Sequence, residues 1–489
     1  MLLGWKKSVS KTFLIPQRYV IAIMGFFAIF NAYTMRICLS VAITEMVLPK
    51  NSSSINHDDT CPNPNSGNKT IMDTDNLYDW SETRQGLILS SFYWGYVITH
   101  LPGGILAGRY GGKYLLNLGI LSTAIFTLLT PIVVEKFEWQ GLITLRALEG
   151  LGEGTTYPAV TALLARWVPL GERARMSGIV FSGSHLGTVI GNVLSGYLIE
   201  ITGTWSSVFY VFGVIGIIWF LLSLVLTFSD PENHPFISDR ERLFLKDELS
   251  HLHQENERKI VPWRSILTSI PLWSLVIVQI GHDWGFFSMV TDLPKYMSDV
   301  MKFNVGENGL WSSLPYIVMW IVAVGMGYFS DYCLKKNWFS ISFARKFFTT
   351  IASIGPGIFI VAASYAECNR ALAVSLFTIS MGFMGPYFCS TKVNALDLSP
   401  NYAGITMAIV NGLGAVSGII TPYLIGALTE DHTLSQWRLV FWITLGVLAA
   451  TNLQYLYFGT AKTQWWDQPP NENNDKCIKE KNIRMTEVY

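Results

Sequence analysis

The sequence predicts an all-α membrane protein of twelve transmembrane helices arranged as two six-helix bundles. Three observations carry this. Half of the 489 residues are apolar and only 14% are charged, against about 25% charged in ordinary soluble domains. Mean hydropathy is +0.33. Nine runs of 20 residues or more lack Asp, Glu, Lys and Arg altogether, and a helix needs about 20 apolar residues to cross a bilayer. A soluble globule, a disordered chain and a nucleic-acid binder fit poorly. The net charge is zero, so no overall field draws in phosphate backbones. Six scattered cysteines do not form a disulfide scaffold.

The nine charge-free runs are 85–108, 114–134, 176–199, 201–229, 308–330, 347–366, 371–391, 398–429 and 439–461. Three further apolar runs are interrupted by charge. The first, Tyr19 to Thr44, is broken only by Arg36. The fourth span, from about Trp139 to Ala165, contains Arg146, Glu149 and Glu153. The seventh, from about Ile270 to Met297, contains Asp283, Asp292 and Lys295. The total is twelve.

Residues 1–18 carry Lys6, Lys7, Lys11 and Arg18 ahead of an apolar run too long for a cleavable signal peptide. They are expected to form a cytoplasmic tail. An even number of spans then places the C-terminal tail, 461–489, on the same side. The loop 46–84 is expected outside, with six acids and three bases. The short loops assigned inside are basic, with Arg109 and Lys113, Arg166, Arg173 and Arg175, and Lys335, Lys336, Arg345 and Lys346. The outer loop also holds two glycosylation acceptors, Asn51 and Asn68. Cys61 in that loop and Cys368 between spans nine and ten share a side, so a disulfide between them is one expectation and two free thiols the other.

Residues 229–270 form the long polar stretch between spans and divide a first bundle, 19–228, from a second, 271–460. Ser238 followed by Glu241 fits a helix N-terminus, so the linker is expected to carry a surface helix. The halves echo weakly. The loop after span two reads Gly104-Ile-Leu-Ala-Gly-Arg109-Tyr-Gly-Gly-Lys113, and the loop after span eight Gly327-Tyr-Phe-Ser-Asp331-Tyr-Cys-Leu-Lys335. Matching signals at matching places argue for duplicated bundles.

Several stretches resemble a known family. Twelve spans in two sixes, the loop ending at Lys113 and Arg146-Ala-Leu-Glu-Gly150 are similar to the major facilitator superfamily. A closer resemblance, to its anion:cation symporter branch, rests on Asn31-x4-Arg36-x2-Leu39-Ser-Val-Ala42, Phe92-Tyr-Trp-Gly-Tyr96 with Pro102-Gly-Gly104, and Arg146-Ala-Leu-Glu-Gly-Leu-Gly-Glu-Gly154. Trp205-Ser-Ser-Val-Phe-Tyr210, Phe303-Asn-Val-x-Glu-Asn-Gly309 and Tyr402-Ala-Gly-Ile405 extend it, so it covers nearly all of 14–460. That branch includes sialin, vesicular glutamate transporters and sodium–phosphate cotransporters. The stretches His282–Phe287 and Thr291–Pro294 look most like proteins named inorganic phosphate cotransporters. The resemblance implies a secondary transporter. The chain departs from the glutamate carriers, which have a His at the place of Leu89 and an Arg at that of His282. It departs from both the glutamate carriers and sialin at Thr161, where they have a His.

A charge in the bilayer core costs about 2.5–3.5 kcal/mol on insertion scales. Arg36 lies about seventeen residues into its span and Arg146 seven into its own. A guanidinium matches carboxylate or phosphate oxygens with two donors at once, so Arg36 and Arg146, with His282, are the candidate substrate-binding residues. Arg146, Gly150 and Gly154 repeat every fourth residue and give one helix face that admits a close neighbour. Glu149 and Glu153 stack beside it, and Arg146 can pair with Glu149 at i, i+3. Burial favours the protonated form of a carboxyl and a guanidinium opposes it, so a group held between the two can gain and lose a proton as the Arg exchanges partners. Glu149 and Glu153 are therefore candidate coupling residues, and Asp283 and Asp292, hard-oxygen groups suited to a cation, are two more. His282 titrates near neutrality in water and is a further candidate. Lys392, at the end of span ten, is expected to snorkel to the aqueous side.

These residues point to a secondary active transporter that moves a small organic or inorganic anion, phosphate or a small carboxylate, by cation-coupled alternating access. The coupling ion is sodium or a proton. The alternative is a lysosomal, sialin-like, proton-coupled exporter of acidic sugars or amino acids. A receptor or channel is the reading from another class, and twelve spans in two similar halves argue against it. An enzyme is not expected, because no His-Glu-x-x-His, Gly-x-Ser-x-Gly or CxxC motif is present. No cofactor or metal and no nucleic-acid partner is expected. The partners are the anion and the lipid bilayer, and the functional unit is expected to be a monomer. The membrane is that of the cell surface or of an endolysosomal or vesicular compartment.

Overall fold

The computed structural model describes residues 15–48, 77–254, 261–399, 402–431 and 433–467. Asn51, Asn68 and Cys61 lie outside the described residues. Cys368 is disulfide-bonded.

The first half holds α1 (Gln17–Met46), α2 (Glu82–Tyr110), α3 (Gly112–Glu153), α4 (Thr156–Trp167), α5 (Leu170–Phe181), α6 (Gly183–Thr202) and α7 (Ser206–Leu226). The linker holds α8 (Asp239–Gln254) and α9 (Trp263–Leu267). The second half holds α10 (Ile270–Asp299), α11 (Val305–Lys335), α12 (Ile341–Ala363), α13 (Arg370–Met384), α14 (Thr391–Leu398), α15 (Ala403–Gly414), α16 (Ser417–Leu428) and α17 (Leu434–Phe458).

Among the described residues, eight helical stretches are long and apolar enough to cross a membrane by length and composition alone. One of them, 112–167, reverses at Glu138, whose φ of 49° and ψ of −142° break α3, so it holds two passages. The polar stretches α2, α5 with α6, and α10 bring the described passages to twelve, six in each half. α2 and α10 are the less apolar because they carry Glu82, His100, Gln279, His282, Asp292 and Lys295 into the interior, and α6 carries Ser184, Thr188, Asn192 and Ser195; each is buried. Several passages are not single rods. Gly154 and Thr155 separate α3 from α4, Ser182 separates α5 from α6, and a 3-10 turn, Gly385–Cys389, separates α13 from α14.

Call the end that bears the linker the tail end, and the other, where residues 46–84 connect α1 to α2, the loop end. The halves touch at the loop end through small residues. A Cβ on Gly86 would lie 2.3 Å from the carbonyl oxygen of Pro422, and one on Gly196 would lie 3.2 Å from the Cα of Gly309. Backbones approach this closely only without side chains between them. At the same end Lys295 pairs with Glu82, and Thr83 donates to Glu430, again across the halves. These contacts close the cleft between the halves at the loop end.

The linker helix is tied to the first half. Ser238 Oγ accepts from Glu241 N at 3.2 Å, as its N-cap position requires. The Glu241 carboxylate serves another helix, accepting from Gln17 N at 2.8 Å and Arg18 N at 3.1 Å at the start of α1. Arg18 stacks over Phe244 at 5.1 Å. The first N–H groups of α1 have no partner within their own helix and donate to this carboxylate instead.

Candidate functional site

Arg36 comes from the middle of α1, and Arg146, Glu149 and Glu153 from the last turns of α3. All four are buried, at 7%, 3%, 1% and 1% exposure. Beside them, α2 packs on α3 at backbone contact. A Cβ on Gly150 would fall 1.9 Å from the Phe92 carbonyl oxygen. Arg36 donates to Glu153 Oε1. Arg146 Nη1 donates to Glu149 Oε2 at 2.5 Å, and its Nη2 donates to the carbonyl oxygen of Arg36 at 3.0 Å. The second oxygen of Glu149 accepts from Thr127 Oγ1 at 3.3 Å. The i, i+3 pairing expected for Arg146 and Glu149 is thus present, and Glu153 pairs across to α1.

Aromatic rings enclose the Arg36 guanidinium. Its Cζ lies 4.6 Å from the Tyr33 centroid, 4.7 Å from Phe92 and 5.1 Å from Tyr96. Phe92 also faces Arg146 at 5.1 Å. Ring faces stabilise a dehydrated cation without neutralising it, so the charge stays available to an anion. Both arginines line one small, nearly closed cavity, with Ser40 and Tyr93 from the first half and Val290 and Thr291 from the second. It has room for about one water in this conformation, so an anion enters only as the cavity opens. Among the described residues, Arg36 Nε, Arg146 Nε, Glu153 Oε2 and the Tyr93 hydroxyl have no hydrogen-bond partner.

The remaining candidates sit elsewhere on α10. His282 is stacked on Tyr387, with centroids 3.5 Å apart and planes at 4°. Asp283 Oδ2 accepts from Gln279 Nε2 at 2.8 Å, and Tyr387 donates to Gln279. Asp292 accepts from Thr291 Oγ1 at 2.5 Å. Nine residues of helix, about 13 Å of rise, separate Asp283 from Asp292, so they form two separate sites. No group of three or more His, Cys, Asp or Glu among the described residues is placed to hold a metal ion.

Two features differ from the expectations above. Glu82, counted among the acids of the outer loop, is 2% exposed and pairs with Lys295 of α10. The loop-end contact buries both, and a lone charged residue at a predicted helix start carried no sign of that. Lys392 does not snorkel. Its Nζ donates to Asn411 Oδ1 and lies 5.5 Å from the Tyr387 centroid, because the 3-10 turn re-aims the chain toward the cleft. The rings of Tyr33 and Tyr387 also escaped notice, since an aromatic in an apolar span gives no signal of its partner.

Residues 21–422 match the family model for the Major Facilitator Superfamily. The chain is 36% identical to a protein of Drosophila melanogaster named "Putative inorganic phosphate cotransporter", over 94% of this chain and 88% of that protein. It is 40% identical to human sialin, over 92% of this chain and 90% of sialin. A bacterial homologue of the human lysosomal transporter spinster, solved in an inward-facing and occupied conformation, has the same fold, with a TM-score of 0.67 at 14% identity over 91% of this chain and 97% of that one. With its two helix bundles and these relatives, the chain belongs to the major facilitator superfamily, in the anion:cation symporter branch, and is a multi-pass membrane transporter rather than an enzyme.

Proposed function

We propose that this protein is a secondary active transporter that moves a small anion, phosphate or a carboxylate, by alternating access around the cavity between its halves. The observation that carries the reading is the convergence of two guanidiniums, each paired with its own glutamate, on one cleft between the bundles. The anion enters as a competitor of those glutamates. It takes the guanidinium donors that Glu153 and Glu149 hold, and the displaced carboxylates are left buried without a counter-charge. A buried carboxylate in that position binds a proton. Glu149 and Glu153 thereby link occupancy by the anion to occupancy by a proton, which favours the proton over sodium as coupling ion. Names carried by the relatives, inorganic phosphate cotransporter and sialin, fit an anionic passenger.

The basic short loops and N-terminal tail support cytoplasmic termini; in that orientation the loop end faces outside or into a lumen, and the cleft is closed on that side. The membrane is the cell surface or an endolysosomal compartment, and the sialin likeness favours the latter.

The test is uptake into proteoliposomes of the purified chain, with imposed proton or sodium gradients and a panel of labelled anions. Uptake driven by a proton gradient, lost in Arg36→Gln and Arg146→Gln while both variants purify as folded protein, is expected. Glu153→Gln should uncouple uptake from the pH gradient. Uptake that follows a sodium gradient alone removes the proton role, and full uptake by both arginine variants removes the site.

A further inference from the structure

Lys392 stands out among the buried cations of the second half. Lys295 pairs with Glu82, and Arg345 Nε donates to Asp397 at 2.7 Å. Lys392 makes no ion pair with a carboxylate among the described residues, and its hydrogen bond is to the neutral amide of Asn411 on α15. Asp283 interacts electrostatically with Lys392 without forming an ion pair, and its Oδ2 accepts from Gln279. An ammonium half-buried in a membrane passage, hydrogen-bonded only to a neutral amide and with Asp283 acting on it from a distance, is incompletely neutralised, and an anion arriving from water would complete the neutralisation.

Its position is equally specific. Lys392 follows the 3-10 turn that breaks the tenth passage, beside the Tyr387 ring on which His282 is stacked. Across the cleft stands His100 of α2, which interacts electrostatically with both Lys392 and Arg36. A Cβ on Gly412, next to Asn411, would lie 3.5 Å from His100 Cδ2, so the halves approach closely at that level. His100 packs on Tyr96 at 5.2 Å, and Tyr96 lies against Arg36. One helical turn separates Tyr96 from His100, about 6 Å of rise. Lys392 is thus roughly one turn nearer the tail end than the arginines, on the opposite bundle. A ligand that reaches both poles is elongated and carries a negative group at each end, and a single small oxyanion does not span them.

We propose that Lys392 is a specificity-determining residue, and that it selects organic dianions whose first acidic group sits at Arg36 and Arg146 and whose second binds Lys392 in place of Asn411. This rests on the anion-transport reading above and narrows it to a substrate class. The two poles lie on different bundles, so a bound dianion also draws the halves together at the tail end.

The probe pair is succinate and its monoamide succinamate, which match in length and differ by one charge. Apparent Kd values come from ligand-dependent thermal unfolding of the full-length purified protein, and the same pair serves as competitors of anion uptake in proteoliposomes. The wild type is expected to bind succinate at least about tenfold more tightly than succinamate. Lys392→Gln should reduce that ratio about tenfold, and Lys392→Arg should retain most of it. Asn411→Asp supplies an internal carboxylate to Lys392 and should reduce the ratio without removing the lysine, which keeps the test meaningful if Lys392→Gln does not fold. An unchanged ratio in both Lys392→Gln and Asn411→Asp overturns the role of Lys392 and leaves anion transport standing. A wild type that shows no preference for succinate overturns the dianion class. A wild type that transports no anion at all overturns the underlying reading, and this proposal with it.

Discussion

Replacing Lys295 by Met is expected to drive the protein out of the conformation described here. Lys295 and Glu82 are each 2% exposed and join α10 of the second half to the first turn of α2 in the first. Asp292 and Asp299 also lie within the field of the ammonium. Without it, Glu82 keeps the 2.7 Å hydrogen bond from Gln85 Nε2, which carries no charge to offset its own. Removing one partner of a buried pair costs about 3–5 kcal/mol. The cost falls on the closed loop end, because the partners sit on opposite halves and are rehydrated once the halves part there. At about 1.4 kcal/mol per factor of ten, the equilibrium moves by roughly two to three and a half powers of ten. Spin labels at the exposed positions Arg84 and Asp431 flank this contact, where Thr83 Oγ1 donates to Glu430 Oε1 at 2.7 Å. Pulsed electron–electron distance measurements should show one short distance in the labelled parent and a dominant longer one after Lys295→Met. The double reversal of Glu82→Lys with Lys295→Glu should restore the short distance. A folded Lys295→Met variant with the parent's distance distribution would refute the claim that this pair holds the loop end shut.

Three further outcomes follow from particular contacts. Gly150→Ala places a methyl 1.9 Å from the Phe92 carbonyl oxygen and should lower stability by at least about 1–3 kcal/mol in thermal unfolding; Gly178→Ala, with nothing within 4 Å, should be tolerated. Glu241→Ala removes the carboxylate that accepts from Gln17 N and Arg18 N and should cost about 0.5–2 kcal/mol, read as a lower unfolding midpoint and faster proteolysis near the start of α1. His234, in the linker, is enclosed by Trp167, Phe228 and Phe236, and burial pushes its pKa down to about 4. Its unfolded form binds the proton first, so its contribution to stability is complete above about pH 6.5 and is lost as the pH falls toward 4. Unfolding midpoints measured across that range should fall less steeply in His234→Phe than in the wild type, and parallel curves would count against it.

The number of passages, their division into halves and the identity of the buried arginines were legible in the sequence, because lipid imposes one strong rule. A long run without charge is a span, and a charge inside one is kept at a cost. The pairing of Arg146 with Glu149 was legible too, since it lies within one helix turn. What the sequence could not decide is every contact made between passages. Glu153 answers Arg36 from 117 positions away, Glu82 answers Lys295 from 213, and Glu241 reaches Gln17 from 224. Such partners are chosen by how helices cross and by where a 3-10 turn aims a side chain. Lys392 was misplaced for that reason: one bend at Gly385–Cys389 turns a residue at a span's end from the aqueous edge toward the cleft. Composition decides what must lie in the membrane. Only the packing of the two bundles decides which buried charges meet, because the cost of each charge is set by the partner that folding brings to it.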